Sequence, residues 1–464
     1  MRINCPHCGQ LTVLGAAELP VETENQEITA GELTEALAGR LKLPRISVFY
    51  QIGLLLVAIF MVLLPVVYLG FAVLLAWCTY WYASNAKLIL GSFDEGIHMS
   101  FIRLITYLGP VLGGVIGVFF MFKPILARAP KSAEPLELNP SQHPRVYQLI
   151  EHLCRALRVP MPKQIHLISD TNAYAGFRRG WRSMLGNDLA MGIGLPLVAG
   201  MNTRQLTEVI SHELGHCTQW LAMRLYAVIE SINRWFLRVV YQQDSWDVAF
   251  EDWCRSGEKT RFRSLVVFVR FEVWFTRKIL WVLMWLGHAA SCFLSRQMEY
   301  HADACGMAVV GSDCFESSTL RLRELIVLQS LSYQFLGPIW KKRHQLPDNL
   351  PDFLKHFESK LPADFQEKAR LTLLNEQAGF FATHPTDVQR IQRARQRGVA
   401  GIFTIEKPAR LLFNDFEATA RILTARHYRR NFLLPVTDHM LKPVEEFLEE
   451  SLSAQRKPIA IPRH

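Results

Sequence analysis

Three absences narrow what this 464-residue chain can be. Its nine cysteines are mostly scattered singly, as Cys78, Cys154, Cys217, Cys254, Cys292, Cys305 and Cys314, which argues against a disulfide framework and suits a reducing compartment. No stripe of Lys and Arg interleaved with aromatics occurs, so the formal charge of +9 does not read as a nucleic-acid surface and no nucleic-acid partner is expected. From Ile46 to Ala83 there is no charged residue at all. The segment Met1–Arg45 before it is polar and carries several glutamates, unlike a secretory signal peptide.

The composition is that of a membrane protein. Half of the residues are hydrophobic, and the mean hydropathy is +0.10, above the usual value for a soluble domain. As a helix, Ile46–Ala83 would be roughly 57 Å long against a hydrocarbon core of roughly 30 Å. It is either one span continuing past the bilayer or a hairpin broken near Pro65. Trp77, Tyr80, Trp81 and Tyr82 suit the membrane–water interface and favour the single helix. A second apolar run, Leu104–Phe122, has the length of one span. Basic residues flank the pair on its outer sides, Arg40, Lys42 and Arg45 before it and Lys123, Arg128 and Lys131 after it. Two spans with those flanks place both the N-terminal segment and everything after Lys131 in the cytoplasm, at the inner or plasma membrane.

After Pro130 the sequence turns soluble-like. Pro144–Leu157 reads as an amphipathic helix, Gln164–Ile168 and Asp188–Ile193 as short strands, and Ser169–Asn172 as a turn. Asn202-Thr203-Arg204-Gln205 then gives a capped start to a helix expected over Leu206–Trp220. That helix carries His212-Glu213-Leu214-Gly215-His216. Spacing i, i+4 puts both imidazoles on one face, one turn apart, where they can bind a single Zn²⁺. Glu213 lies about 100° round the helix, so it does not complete that pair but can take a proton from an activated water. The third ligand must come from elsewhere. Gln219 and Ala222 stand where a metzincin needs Gly and His, which excludes that class. In Ser295–Asp303, Glu299 and Asp303 again share one helical face, and one carboxylate can bind zinc while the other orients a ligand histidine.

Together, Asn172-Ala173-Tyr174-Ala175, the His212–His216 run, Glu299 with Asp303, and Thr383-His384-Pro385 followed by Arg390-Ile391 resemble the membrane zinc metalloproteases that include HtpX and the CAAX prenyl protease. The resemblance runs from about Leu138 to Arg397. It implies zinc held by His212, His216 and Glu299, with Glu213 as catalytic base and Asp303 behind the metal ligands. It also implies Asn172 and Ala173 at an edge strand that binds substrate backbone, and His384 near the developing oxyanion. The fold it implies is α+β and mostly helical, a gluzincin domain with a small sheet behind about two transmembrane helices.

The expected organisation is an N-terminal segment over 1–45, a membrane region over 46–124, a metallopeptidase domain over 131–400 and a helical extension with a tail over 401–464. Relatives often carry two further spans between the two metal-binding helices. Here Leu221–Val240 is amphipathic, and Leu265–Leu294 contains Arg270, Glu272, Arg277 and Lys278, each costing about 3 kcal/mol at mid-bilayer. Because His216 and Glu299 must meet, the insertion 221–294 crosses the bilayer an even number of times. The charges favour zero crossings, with helices lying on or dipping into the membrane, over a two-crossing hairpin. Cys5-Pro6-His7-Cys8 is half of a zinc knuckle, and the chain has no second Cys-x-x-Cys; a second zinc there and a turn with free thiols both remain open. The function expected is cleavage of unfolded or membrane-associated polypeptides. The alternatives are processing of prenylated substrates and a catalytically silent membrane scaffold.

Overall fold

A computed structural model describes residues 2–4, 11–13, 27–44, 47–85, 97–126, 135–183, 186–241, 263–362 and 384–447, with a few single positions between them. Cys5, Cys8 and the tail after residue 447 lie outside the described residues, so neither outcome for the cysteine pair is addressed.

The architecture is mostly helical, with small sheets, and divides into an apolar bundle and a catalytic body. The antiparallel pair β1 (Arg2–Asn4) and β2 (Leu11–Val13) and helix α1 (Ala30–Ala36) precede α2 (Val48–Ser84) and α3 (Ile97–Leu126). Pro65 lies inside α2, which continues through it as one helix, so the hairpin alternative at that residue is set aside. Helices α2 and α3 run antiparallel: Tyr82 Oη donates to the Thr106 carbonyl (2.9 Å) and Tyr68 Oη to that of Met121 (2.8 Å).

The catalytic body opens with β3 (Leu136–Glu137), α4 (Pro144–Leu157), β4 (Gln164–Ile168), β5 (Ala173–Phe177) and β6 (Leu189–Gly194). The sheet order is β3-β4-β6-β5, with β4 parallel and β5 antiparallel to β6, leaving β5 at an edge. The short α5 (Leu195–Gly200) leads into α6 (Thr203–His216), which carries the histidines. Asn202 caps α6 reciprocally: its Oδ1 accepts from Gln205 N (2.8 Å) while Gln205 Oε1 accepts from Asn202 N (3.2 Å). Such a cap stabilises a helix by about 1 kcal/mol.

The helix expected over Leu206–Trp220 ends early, at His216. Cys217 closes it, Thr218 Oγ1 bonds the Gly215 carbonyl (2.8 Å), and a new helix, α7 (Trp220–Tyr241), leaves in another direction. The chain returns along α8 (Arg263–Val310) and continues through α9 (Ser312–Arg343), α10 (Leu350–Lys360), α11 (Asp387–Arg397) and α12 (Phe416–Arg430).

The insertion packs against the first two apolar helices. Leu54, Met61, Leu64 and Tyr68 of α2 share one buried cluster with Ala222, Ile229 and Phe236 of α7 and Leu280, Leu283 and Leu294 of α8. Gly53 faces Leu294, Gly287 faces Met61 and Leu64, and Gly117 of α3 faces both Leu75 and Glu272. Helix α7 therefore packs beside α2, and the part of α8 up to Leu294 packs beside α2 and α3. Among the described residues, three helical stretches are long and apolar enough to cross a membrane: Val48–Ser84, Thr106–Pro124 and Arg270–Val310. Of the two insertion helices, α8 contributes one of these stretches and α7 contributes none. Some of the charges have local partners, Glu230 with Arg234 (3.3 Å) and the Lys278 ammonium over the Trp274 and Trp281 rings, while the buried Oε2 of Glu272 has no hydrogen-bond partner among the described residues.

The N-terminal segment belongs to the catalytic body. Ile28, Leu33 and Leu37 are buried in its core, and Lys407 reaches back to Glu32 (2.7 Å). Residues 403–447 also contribute to this core, through Phe403, Leu412, Leu423, Tyr428 and Phe447. Both hairpins, α2–α3 and α7–α8, thus begin and end at one body.

Helices α6 and α8 approach closely because Gly215 has no side chain. A Cβ there would lie 3.0 Å from Ala302 Cα and 3.0 Å from Cys305 Cβ. Gly215→Ala is expected to destabilise the protein by about 1–3 kcal/mol, as overpacked cores do, and Gly215→Val by more. Thermal unfolding in detergent checks this; an unchanged midpoint for both variants would contradict the contact.

Candidate metal centre

Two helices with separate supports bring the donors together. Helix α6 is fixed at its start by its cap and by the C-terminal extension, where Thr203 N and Thr203 Oγ1 both donate to the Lys407 carbonyl (2.7 Å each). On the facing turn of α8, Glu299 points at both histidines. Its Oε2 is 3.5 Å from His212 Nε2 and its Oε1 is 3.9 Å from His216 Nε2. The three donor atoms all lie within 4.8 Å of one another. A tetrahedral zinc with ligands at about 2.0–2.1 Å separates its donors by about 3.3 Å, so a small contraction would close this set on one ion.

The surroundings fit a metal as well as the distances do. His212 Nδ1 lies 3.0 Å from Asp303 Oδ1, which would keep the proton on that nitrogen and leave Nε2 free as a donor. Arg390 of α11 grips Asp303 through Nη2 (2.6 Å to Oδ1) and Nε (3.0 Å to Oδ2). Asp387 lies 3.6 Å from Arg390 Nη1 and itself accepts from Arg323. This alternating chain of charges runs outward from His212 to α9. Neither Nδ1 has a partner in full hydrogen-bond geometry among the described residues, but only His212 has a carboxylate, that of Asp303, at 3.0 Å behind it.

Protonation follows from burial. Burial pushes His216 down to about 4, against the pull of Glu299, and so favours the neutral imidazole that a metal requires. For His212 burial acts the same way, but its bonds to Asp303 and Glu299 outweigh it and hold the ring well above its ordinary value. Burial pushes the Glu213 carboxyl up to about 7, with Glu299 adding to the rise and His212 and the Ala175 N–H opposing it.

Glu213 thus sits between the donor cluster and β5. In the antiparallel β5–β6 pair, Gly194 N donates to the Asn172 carbonyl (2.9 Å) and Arg178 N to that of Asp188 (3.0 Å). The alternation of antiparallel pairing then turns the backbone groups of Ala173, Ala175 and Phe177 outward, to the free edge. The Ala175 N–H meets Glu213, and the Ala173 N–H is taken by Asn172 Oδ1 (2.9 Å). Gly192 has no Cβ because the Tyr174 ring lies across it. His384, largely exposed, places Nδ1 3.2 Å from Glu299 Oε1, on the open side of the cluster. That bond to Glu299 raises its pKa.

Residues 140–398 match the profile of peptidase family M48. The chain belongs to that family. Similar proteins include a Protease HtpX of Pseudomonas savastanoi, 24% identical over 255 residues that cover 54% of this chain and 70% of the relative. Another is the Protease HtpX of Chromohalobacter salexigens, 22% identical over 307 residues, or 65% of this chain and 87% of the relative. A Protease HtpX homolog of Bacteroides fragilis is 25% identical over 236 residues, or 48% and 64%. No solved structure matches the chain. With its apolar helices and its His212–His216–Glu299 cluster, the protein is a membrane metallopeptidase of family M48.

Of the residues named from the sequence, His212, His216, Glu213, Glu299, Asp303 and His384 meet in one cluster, while Asn172 and Ala173 lie at the start of the strand whose Ala175 N–H meets Glu213. Sequence reasoning gave no role to Arg390, although the His384–Arg390 spacing was visible, nor to Glu208. Glu208 is one turn before His212; burial pushes its carboxyl up to about 7, and its Oε1 has no hydrogen-bond partner among the described residues.

Metal analysis of the purified protein is expected to find close to one ion per chain, lost in His212→Ala and His216→Ala. Asp303→Asn should weaken metal binding by about 10–100-fold while the protein stays folded. Unchanged affinity in all three would contradict the assignment of the cluster.

Proposed function

We propose that the protein is a zinc-dependent endopeptidase that cleaves unfolded or membrane-associated polypeptides. The observation that carries this is the placement of Glu213 between a three-donor metal cluster and the free edge of β5. His212, His216 and Glu299 would hold the ion. When bound, zinc supplies Lewis acidity and lowers the pKa of a coordinated water toward 7.

The chain's own groups perform the remaining steps. An extended substrate pairs with the outward carbonyls of Ala173 and Ala175 and with the Phe177 backbone, which sets the scissile bond beside Glu213. Asn172 caps the inner end of that edge. The Glu213 carboxylate takes the proton of the attacking water and delivers it to the leaving amine, a role that suits a carboxyl lifted by burial. His384 donates an N–H toward the carbonyl oxygen as negative charge develops there. Asp303, held by Arg390, keeps His212 oriented throughout.

Membrane-associated substrates are favoured by where the centre lies. Glu299 is five residues, or about 7.5 Å of helix, beyond Leu294, the last residue of α8 in the bundle core. The basic flanks Arg40, Lys42, Arg45, Lys123, Arg128 and Lys131 support a cytoplasmic location for this face. Glu213→Gln is expected to keep its metal and lose about 10²–10⁴-fold in peptide hydrolysis. Cleavage at the wild-type rate by the metal-loaded variant would overturn the mechanism.

A further inference from the structure

The turn that leads into β5 is held from behind, by groups outside the cleft. Gln329, buried midway along α9, uses every position of its side-chain amide. Its Oε1 accepts from Thr171 N (3.0 Å) and Thr171 Oγ1 (2.7 Å), and its Nε2 donates to the Ser169 carbonyl (2.7 Å) and to Tyr333 Oη (2.9 Å). Tyr333 Oη is in turn 2.9 Å from His427 Nε2 on α12, and His427 Nδ1 is 3.0 Å from Asn431 Nδ2. With the Asn431 amide donating to Nδ1, His427 carries its proton on Nε2 and donates it to the tyrosine oxygen. The two rings stack at 5.9 Å, and Phe432 closes on both, edge-on to each. His427 is 4% exposed.

The turn itself has little freedom. Asn172 N donates to the Asp170 carbonyl (2.8 Å), and the Asn172 carbonyl accepts from Gly194 N (2.9 Å). The backbone is pressed so closely onto the end of β6 that a Cβ on Gly194 would lie 2.3 Å from the Asp170 oxygen. A shift at Ser169–Thr171 therefore passes directly to Asn172 and the edge that follows it. His427 lies beyond the stretch matched to the peptidase family, in the C-terminal extension.

We propose that His427 and Tyr333 are positioning residues for substrate binding, by which the C-terminal extension acts through Gln329 to set the free edge of β5. The proposal rests on the reading that β5 binds the peptide. The chain of contacts does not pass through the metal ligands or Glu213. Loosening it should weaken capture of an extended peptide and leave the chemical step alone.

The test uses the full-length, metal-loaded protein in detergent or nanodiscs, with a peptide long enough to lie along β5. Tyr333→Phe removes one oxygen and keeps the ring. Because that oxygen is bonded to both Gln329 and His427, the change is expected to raise KM about three- to tenfold, with kcat within about twofold and metal content unchanged. Gln329→Leu should do the same or more. His427→Gln, which keeps an N–H donor, should stay nearer wild type than His427→Phe. The underlying strand reading is tested separately with peptides N-methylated at alternate residues, in both phases. If one phase loses binding while KM stays at the wild-type value in Tyr333→Phe and Gln329→Leu, the relay is wrong and the strand reading stands. If both phases bind like the parent, the strand reading fails and the proposal fails with it. A fall in kcat together with lost metal would show a structural role only and overturn the proposal.

Discussion

Two histidines on one helix and a glutamate on another must share a single point, and the rest of the molecule is arranged around that requirement. Residues 217–298 leave the catalytic body after His216 and must return to it before Glu299. They do so as α7 and the first half of α8, a hairpin that packs its apolar faces against α2 and α3. The same need explains Gly215, where any side chain would push α6 away from Ala302. It also explains why α8 is so long. One continuous helix carries the bundle contact at Leu294, the donor at Glu299 and the carboxylate at Asp303. Rigid helix is the surest way to hold those three in fixed relation.

The electrostatics around the cluster orient more than they stabilise. Burying a carboxylate and a guanidinium together costs desolvation that their attraction often only offsets. Asp303 and Arg390 accept that cost in a two-bond grip, with Asp387 and Arg323 behind them, and the result is a single fixed position for the Asp303 oxygen facing His212. The carboxylate of Glu213 and the imidazole of His384 lie against the donor cluster without belonging to this chain of charges.

Local patterns were legible in the sequence and long-range ones were not. The capping box at Asn202–Gln205, the helix over Pro144–Leu157 and the strand over Gln164–Ile168 depend on neighbours within a few residues, and each forms where it was expected. The pairing of His212 and His216 follows from helical spacing alone. Three features depend on contacts between distant segments. Ile28, Leu33 and Leu37 look like part of a polar leader, yet they fill the catalytic core. Charge counting on α7 and α8 argued for helices lying on the membrane and gave no sign that they pack along the apolar helices. It cannot show Glu230 beside Arg234 or Lys278 over tryptophan rings. Arg390 showed its spacing from His384 but not the carboxylate it would hold.

The central claim is that one zinc is held by His212, His216 and Glu299. X-ray absorption at the zinc edge, on the full-length Glu213→Gln protein loaded with a single equivalent, tests it most directly. The account predicts a shell of nitrogen and oxygen at about 2.0–2.2 Å with the outer-shell signature of two imidazoles, and no sulfur. A sulfur shell near 2.3 Å would place the ion on cysteine and contradict it.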